Sequence, residues 1–202
     1  MVATRGALLA GALALVPYGI NATPDALTNA YAGNGSLASY DFTMNGRMAM
    51  RHFPWFHFHL SGRGEYVRGR SFEVDISGIP SFAGGTRRVD LSILAPSMWA
   101  HRYVVTDAGT AGSDQLYDLT DPSDPSLHDA LVRVDPLLGI REVQMHYTNG
   151  STLDFRVQCA RSGGYLLPHQ IEATIDAESV SVAVNADFEE SSIEALSSSA
   201  AR

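Results

Sequence analysis

The chain has 202 residues, a formal net charge of −8 and a single cysteine. That length suits one domain with a substantial core. The acidic balance argues against nucleic acid as a partner, because phosphate contacts need a basic face, and Cys159 alone leaves no intramolecular disulfide.

Arg5 is the only early charge, and an apolar run from Ala7 to Val16 follows it, then Pro17 and Ile20-Asn21-Ala22. This order reads as a secretory signal peptide over residues 1–22. The run is too short for the roughly twenty residues of a spanning helix. Cleavage would remove Arg5 and no acid, leaving the mature chain more acidic still. No Cys lies near the cleavage point, so a lipidated N-terminus is not expected, and the chain is placed in the periplasm or outside the cell. All basic side chains are Arg; the sequence has no Lys.

Residues 24–31 read as a short amphipathic helix. Thr23 can cap it, Pro24 suits its first turn, and Ala26, Leu27, Ala30 and Tyr31 make its apolar stripe. From there the period changes to two. Tyr40, Phe42, Met44, Met48 and Met50 alternate with Asp41, Thr43, Asn45, Arg47 and Arg51, as a half-buried strand requires. After His52-Phe53-Pro54, a second strand sets Phe56, Phe58, Leu60 and Tyr66 against His57, His59, Ser61, Arg63 and Glu65. Past Gly69, Phe72, Val74 and Ile76 form a third.

Residues 77–125 are punctuated by Gly78, Pro80, Gly84-Gly85, Pro96, Asp121-Pro122 and Asp124-Pro125. Strands are expected over residues 102–106 and 115–119. Ile93-Leu94 and Met98-Trp99 bracket Pro96, which suggests a packed loop or short lid helix. Residues 126–131 fit either a helical turn or the lead into a strand through Val132 and Val134. Beyond Arg141 the alternation returns as a four-strand meander to Phe188. Its apolar positions are Val143, Met145 and Tyr147, then Leu153, Phe155, Val157 and Cys159, then His169, Ile171, Ala173 and Ile175, then Val180, Val182, Val184 and Phe188. Asn149-Gly150 is a strong hairpin signal, and Gly163-Gly164 marks another turn, read as the rim of a shared cavity. The Ser/Ala-rich residues 191–202 have little to bury and are expected to be frayed.

Many one-faced strands with few helices to cover them must bury their apolar faces against each other. A barrel, closed or partly open, and a β-sandwich both satisfy this. In a part-open barrel the concave side becomes an apolar cavity. The residues expected to line it are Tyr40, Phe42, Met44, Met48, Met50, Phe56, Phe58, Leu60, Phe72, Val143, Met145, Phe155, Val157, His169, Ile171 and Val182. The Met and aromatic stripe is a soft surface suited to irregular apolar partners.

Catalytic signatures are sparse. There is no Gly-x-Ser-x-Gly, P-loop, dinucleotide fingerprint or His-Glu-x-x-His, so no enzymatic activity and no cofactor is expected. His57 and His59 share a strand face and could ligate a metal with Glu65 or Glu73, or simply be exposed polar positions. Cys159, on the apolar face, reads as a small hydrophobe rather than a nucleophile.

The order of elements is suggestive. "Asp25-Ala26-Leu27…Ala30-Tyr31" precedes "Leu37-Ala38-Ser39-Tyr40-Asp41-Phe42", and later come "Tyr147-Thr148-Asn149-Gly150" and "Gly164-Tyr165-Leu166-Leu167-Pro168-His169-Gln170-Ile171". Over residues 24–188 this resembles the LolA/LolB-like superfamily of periplasmic lipoprotein carriers and related lipid-binding proteins. The resemblance implies an incomplete antiparallel barrel over residues 23–190, lidded by helices, with a cavity for lipid or lipoprotein acyl chains. The carriers hold an Arg inside the cavity to control the lid, whereas Arg47 and Arg51 alternate outward here. The alternative function is an envelope module that uses the half-barrel to bind or sense a protein partner.

Overall fold

The computed structural model describes residues 34–79, 85–178 and 180–197. The expected signal peptide (1–22), the helix at 24–31 and the last residues of the tail lie outside them. Strands β1 (Leu37–Met50), β2 (Phe53–Val67), β3 (Ser71–Ser77) and β4 (Arg87–Asp90) form one meander. A 3-10 turn (Ser92–Leu94) and helix α1 (Pro96–Arg102) follow. Then β5 (Val104–Ala111), β6 (Asp114–Thr120), β7 (Leu127–Asp135), β8 (Gly139–Tyr147), β9 (Thr152–Ser162), β10 (Tyr165–Ala177) and β11 (Val180–Ala195) form a second.

The two meanders join edge to edge through β1 and β11. The result is a single antiparallel sheet of eleven strands in the order β4-β3-β2-β1-β11-β10-β9-β8-β7-β6-β5. The sandwich alternative is therefore excluded. Every sequential connection joins neighbours except one: β4 and β5 lie on opposite edges, and the 3-10 turn and α1 carry the chain between them. Buried residues of β1–β3 and of β6–β10 meet Ile93, Leu94, Met98 and Trp99 in one hydrophobic cluster. The sheet thus curls around this segment and stays open at the seam.

Local chemistry explains the connecting segment. Pro96 occupies the first turn of α1, where its fixed φ is helical and its missing N–H costs nothing. His101 and Arg102 fall in the last turn, where they complement the helix dipole. Trp99 is 1% exposed, its indole Nε1 donates to the Ile93 carbonyl at 2.9 Å, and its ring meets Tyr117 edge-on at 5.9 Å. The apolar residues around Pro96 are thus a plug inside the sheet.

Beside the plug, Tyr40, Phe42, Tyr66 and Phe72 pack as edge-on, tilted or stacked rings 5.2–6.0 Å apart. The Tyr66 and Ser97 hydroxyls are hydrogen-bonded at 2.6 Å, tying β2 to α1. Gly64, opposite Phe42 in the β1–β2 ladder, makes this possible. A Cβ there would overlap the Phe42 ring and the Glu73 carbonyl, so the ring fills the space that the missing side chain leaves.

One expectation is corrected and one open reading is decided. Strand β11 runs to Ala195, into the segment expected to be frayed, because Ser191, Glu194 and Ala195 pair with Asp41, Ser39 and Leu37 of β1. The register slips there, with Ser192 at φ 50°, a bulge that lets the strand continue. Residues 126–131, which fitted either a helical turn or the lead into a strand through Val132 and Val134, take the second form: the strand β7 begins at Leu127 and pairs with β6 and β8.

Candidate functional site: the inner face of the curled sheet

Residues that pair across a ladder share a face. Phe58, Met48, Val184, Ala173, Phe155 and Val143 are successive partners from β2 across to β8. A second row runs Met50, Val182, Ile175, Leu153 and Met145. A third runs Leu60, Gly46, Ala186, Ile171 and Val157. Residues from all three rows are buried in, or packed against, the cluster that holds Trp99, so these rows are the inner face.

The plug covers this face unevenly. Tyr40, Phe42, Met44, Leu60, Phe72, Val143, Val157, Ile171 and Val182 are buried. They are packed core. Met48, Met50, Phe58, Met145 and Phe155 are half-buried, as are Leu153 and Val184 beside them. Phe56 is 42% and Ile175 37% exposed. The inner face is thus filled around the aromatic cluster and uncovered toward the β1–β2, β8–β9 and β10–β11 turns. What remains is an apolar strip, floored by thioether and aromatic side chains and bordering the hydrophobic cluster that holds the plug. The Gly163-Gly164 turn, read as a rim, joins β9 to β10 at the opposite end of the strands.

His169 is corrected. It was placed on the inner face but is exposed. Pro168 pairs with Cys159 and Gln170 with Gln158, so His169 is the extra residue of a β-bulge. Leu167 and Pro168 just before it are buried, and Leu167 joins the core cluster.

Arg102 fastens the plug. Its guanidinium pairs with Asp90, the last residue of β4, and through Nε with Asp121 just after β6, at 2.8 Å. One side chain therefore grips residues from both sides of the seam. Burial pushes the Asp121 carboxyl up, but hydrogen bonds from Ser123 and Arg102 outweigh it and hold the group below the usual carboxylate range. Nothing in the sequence pairs Asp90 with Asp121, which lie in different weakly patterned segments. Arg47 and Arg51 are exposed, as their alternation implied, and Arg51 pairs with Asp176 at 3.2 Å.

The remaining chemistry is sparse. His57 and His59 are exposed with ring centroids 6.1 Å apart, and no group of three or more metal-ligating side chains forms among the described residues. The Cys159 thiol faces the Ile140 carbonyl at 3.8 Å, and burial pushes its pKa up to about 12, which keeps it a protonated small hydrophobe. A cleft of about 470 Å³ lies under the β5–β6 turn, lined by Asp114, Arg133, Arg141, Glu142, Arg156 and Glu172 among others. Its balanced charges suit no apolar ligand.

Comparison with solved structures places this architecture. A LolA superfamily protein from Nitrosomonas europaea aligns over 82% of this chain and 90% of its own, with a TM-score of 0.52 and 12% identity. A putative outer membrane lipoprotein-sorting protein domain from Vibrio parahaemolyticus aligns over 83% and 92%, with a TM-score of 0.55 and 11% identity. The fold is LolA-like. A DUF1329 family protein from Desulfovibrio piger shares it, over 82% and 89% at a TM-score of 0.52 and 9% identity. No family model and no curated protein matches the sequence. The likeness to the LolA-like structures is one of fold and spans nearly their whole length. In that fold, the strip bordering the core cluster is where this chain's inner face stays uncovered.

Proposed function

We propose that this chain is an exported acyl-binding protein of the cell envelope, which holds a lipid or lipoprotein acyl chain along the uncovered strip of the inner face. The observation that carries this reading is the division of one continuous inner face into a packed part and an uncovered part. Soluble proteins seldom leave contiguous large apolar side chains partly open unless something covers them. Met48, Met50 and Met145 with Phe58 and Phe155 give a floor that adapts to a flexible chain of methylenes. Each buried methylene contributes about 0.8 kcal/mol, so ten would contribute roughly 8 kcal/mol gross, against an association cost of about 4–15 kcal/mol. That balance fits a carrier that binds and releases. The fold shared with a lipoprotein-sorting domain and the signal-like residues 1–22 support the reading.

Native mass spectrometry of protein purified without detergent from envelope extracts tests it. The expected spectrum carries adducts with the masses of phospholipids, fatty acids or acylated peptides, released by collisional activation. A spectrum of bare protein from lipid-replete extracts would count against it.

A further inference from the structure

The strip does not end at the last ladder pair. Phe53 lies opposite Met50 and continues the second row to the tip of the β1–β2 hairpin. There Phe53 is 51%, Trp55 74% and Phe56 42% exposed. The rings are clustered, with Phe53 edge-on to Trp55 at 5.7 Å and Phe56 edge-on to Phe58 at 4.8 Å. Three large aromatic side chains held in water at one hairpin tip are costly unless they meet an apolar phase.

The charge around the tip is unlike that of the rest of the chain. Between Asp41 and Glu65 there is no acid, yet the stretch holds Arg47, Arg51, Arg63 and three of the seven histidines, in a chain of formal net charge −8. The adjacent β10–β11 hairpin brings Asp176 at the end of β10, which Arg51 pairs, and Glu178 in its turn. The hairpin itself is therefore aromatic and free of acid on an acidic protein, with Arg51 held by Asp176 and the exposed Arg47 on the strand behind the tip. Aromatic rings flanked by cations suit the interface of an anionic lipid bilayer, where the rings sit at headgroup level and the cations meet lipid phosphate. A narrow hairpin end also offers far less area than the roughly 800 Å² per partner of a standard protein interface.

We infer that the β1–β2 hairpin tip docks on an anionic lipid bilayer through Trp55, Phe53 and Phe56, setting the uncovered end of the inner face against the membrane. The inference rests on the acyl-binding reading for its purpose. Of the two ends of the inner face, the one near Tyr40 and Phe72 is packed shut. An acyl chain must therefore enter at the end that carries the tip. With the tip in the interface, the chain would pass from bilayer to strip along Phe53 and Met50 without crossing water.

The two tryptophans make the test direct, because Trp99 is buried in the core and Trp55 is in water. The full chain is mixed with vesicles of phosphatidylcholine containing phosphatidylglycerol, and tryptophan emission and co-sedimentation are followed. A blue shift, quenching by brominated phospholipid, weakening with added salt and a roughly tenfold loss of vesicle affinity in Trp55→Ser are expected. Emission unchanged at saturating lipid, or Trp55→Ser sedimenting like the parent, would overturn the inference. So would a shift that follows protein concentration without lipid, which would mark a second copy of the chain as the occupant. A soluble fluorescent fatty acid separates the two readings. Trp55→Ser is expected to bind it as the parent does. Vesicle binding without uptake of the soluble acid would uphold docking and remove the acyl-binding reading; uptake without vesicle binding would do the reverse.

Discussion

Trp99→Ala is expected to destabilise the protein by about 3–5 kcal/mol, the range for truncating a large aromatic residue in a packed core. Trp99 is 1% exposed and meets Tyr117, and its indole N–H satisfies the Ile93 carbonyl. The substitution leaves a cavity and an unpaired carbonyl together. Trp99→Phe keeps most of the ring volume, loses the hydrogen bond, and should cost less, about 1–3 kcal/mol. Chemical denaturation followed by far-ultraviolet circular dichroism measures both. A loss below about 1 kcal/mol for the alanine variant would mean that the segment between β4 and β5 is not the plug described above.

The second large effect is on binding. Met48→Asp should weaken acyl binding by about a hundredfold, roughly 2.7 kcal/mol, because it sets a carboxylate in the middle of the Phe58–Met48–Val184 row. A methylene chain laid over that position would strip water from the charge and offer nothing in return. Met48 is only half-buried, so the unliganded fold should tolerate the change far better than a core site would. Asn45→Asp adds the same charge on the outer face of the same strand, where Asn45 is exposed, and should leave affinity unaltered. Displacement of a fluorescent fatty acid reads all three proteins. Equal affinity for Met48→Asp and the parent would show that the acyl chain does not lie on this row.

Much of the sheet is written in the period-two alternation of the chain. Tyr40-x-Phe42-x-Met44 and Val180-x-Val182-x-Val184 each announce both a strand and the face it buries, because successive side chains point to opposite sides. The Asn149-Gly150 hairpin was equally plain; Gly150 sits at φ 81° and its N–H bonds the Tyr147 carbonyl at 2.9 Å. Three things were harder to read, for different physical reasons. Residues 127–135 end in alternation but follow Asp124-Pro125-Ser126, which resembles a helix start, and only pairing with β6 and β8 settles the matter. His169 follows Pro168, and the bulge between Pro168 and Gln170 shifts the alternation by one residue. No local pattern announces a bulge in mid-strand. The division of the inner face into core and open strip depends on where α1 settles, and that depends on contacts such as Trp99 with Tyr117, far from any sequence period. Apart from His169, the apolar positions that pair across the inner face were thus legible in the alternation. Which of them meet solvent was not.

The Arg102 clasp shows the same limit from the charged side. Asp90, Arg102 and Asp121 are unremarkable acids and a base in segments broken by Gly and Pro. Their meaning comes from topology, since β4 and β5 are opposite edges of one sheet and α1 is the only described link across the seam.

The central claim is that methylenes are buried along the strip, and its most direct test is a chain-length series. Affinity for saturated fatty acids of increasing length, measured by calorimetric titration at constant pH and salt, should rise about fourfold with each added methylene. It should then level off once the chain outgrows the row from Met50 to Met145. Affinity independent of length, or no binding by the longest soluble acids, would contradict an acyl-binding inner face.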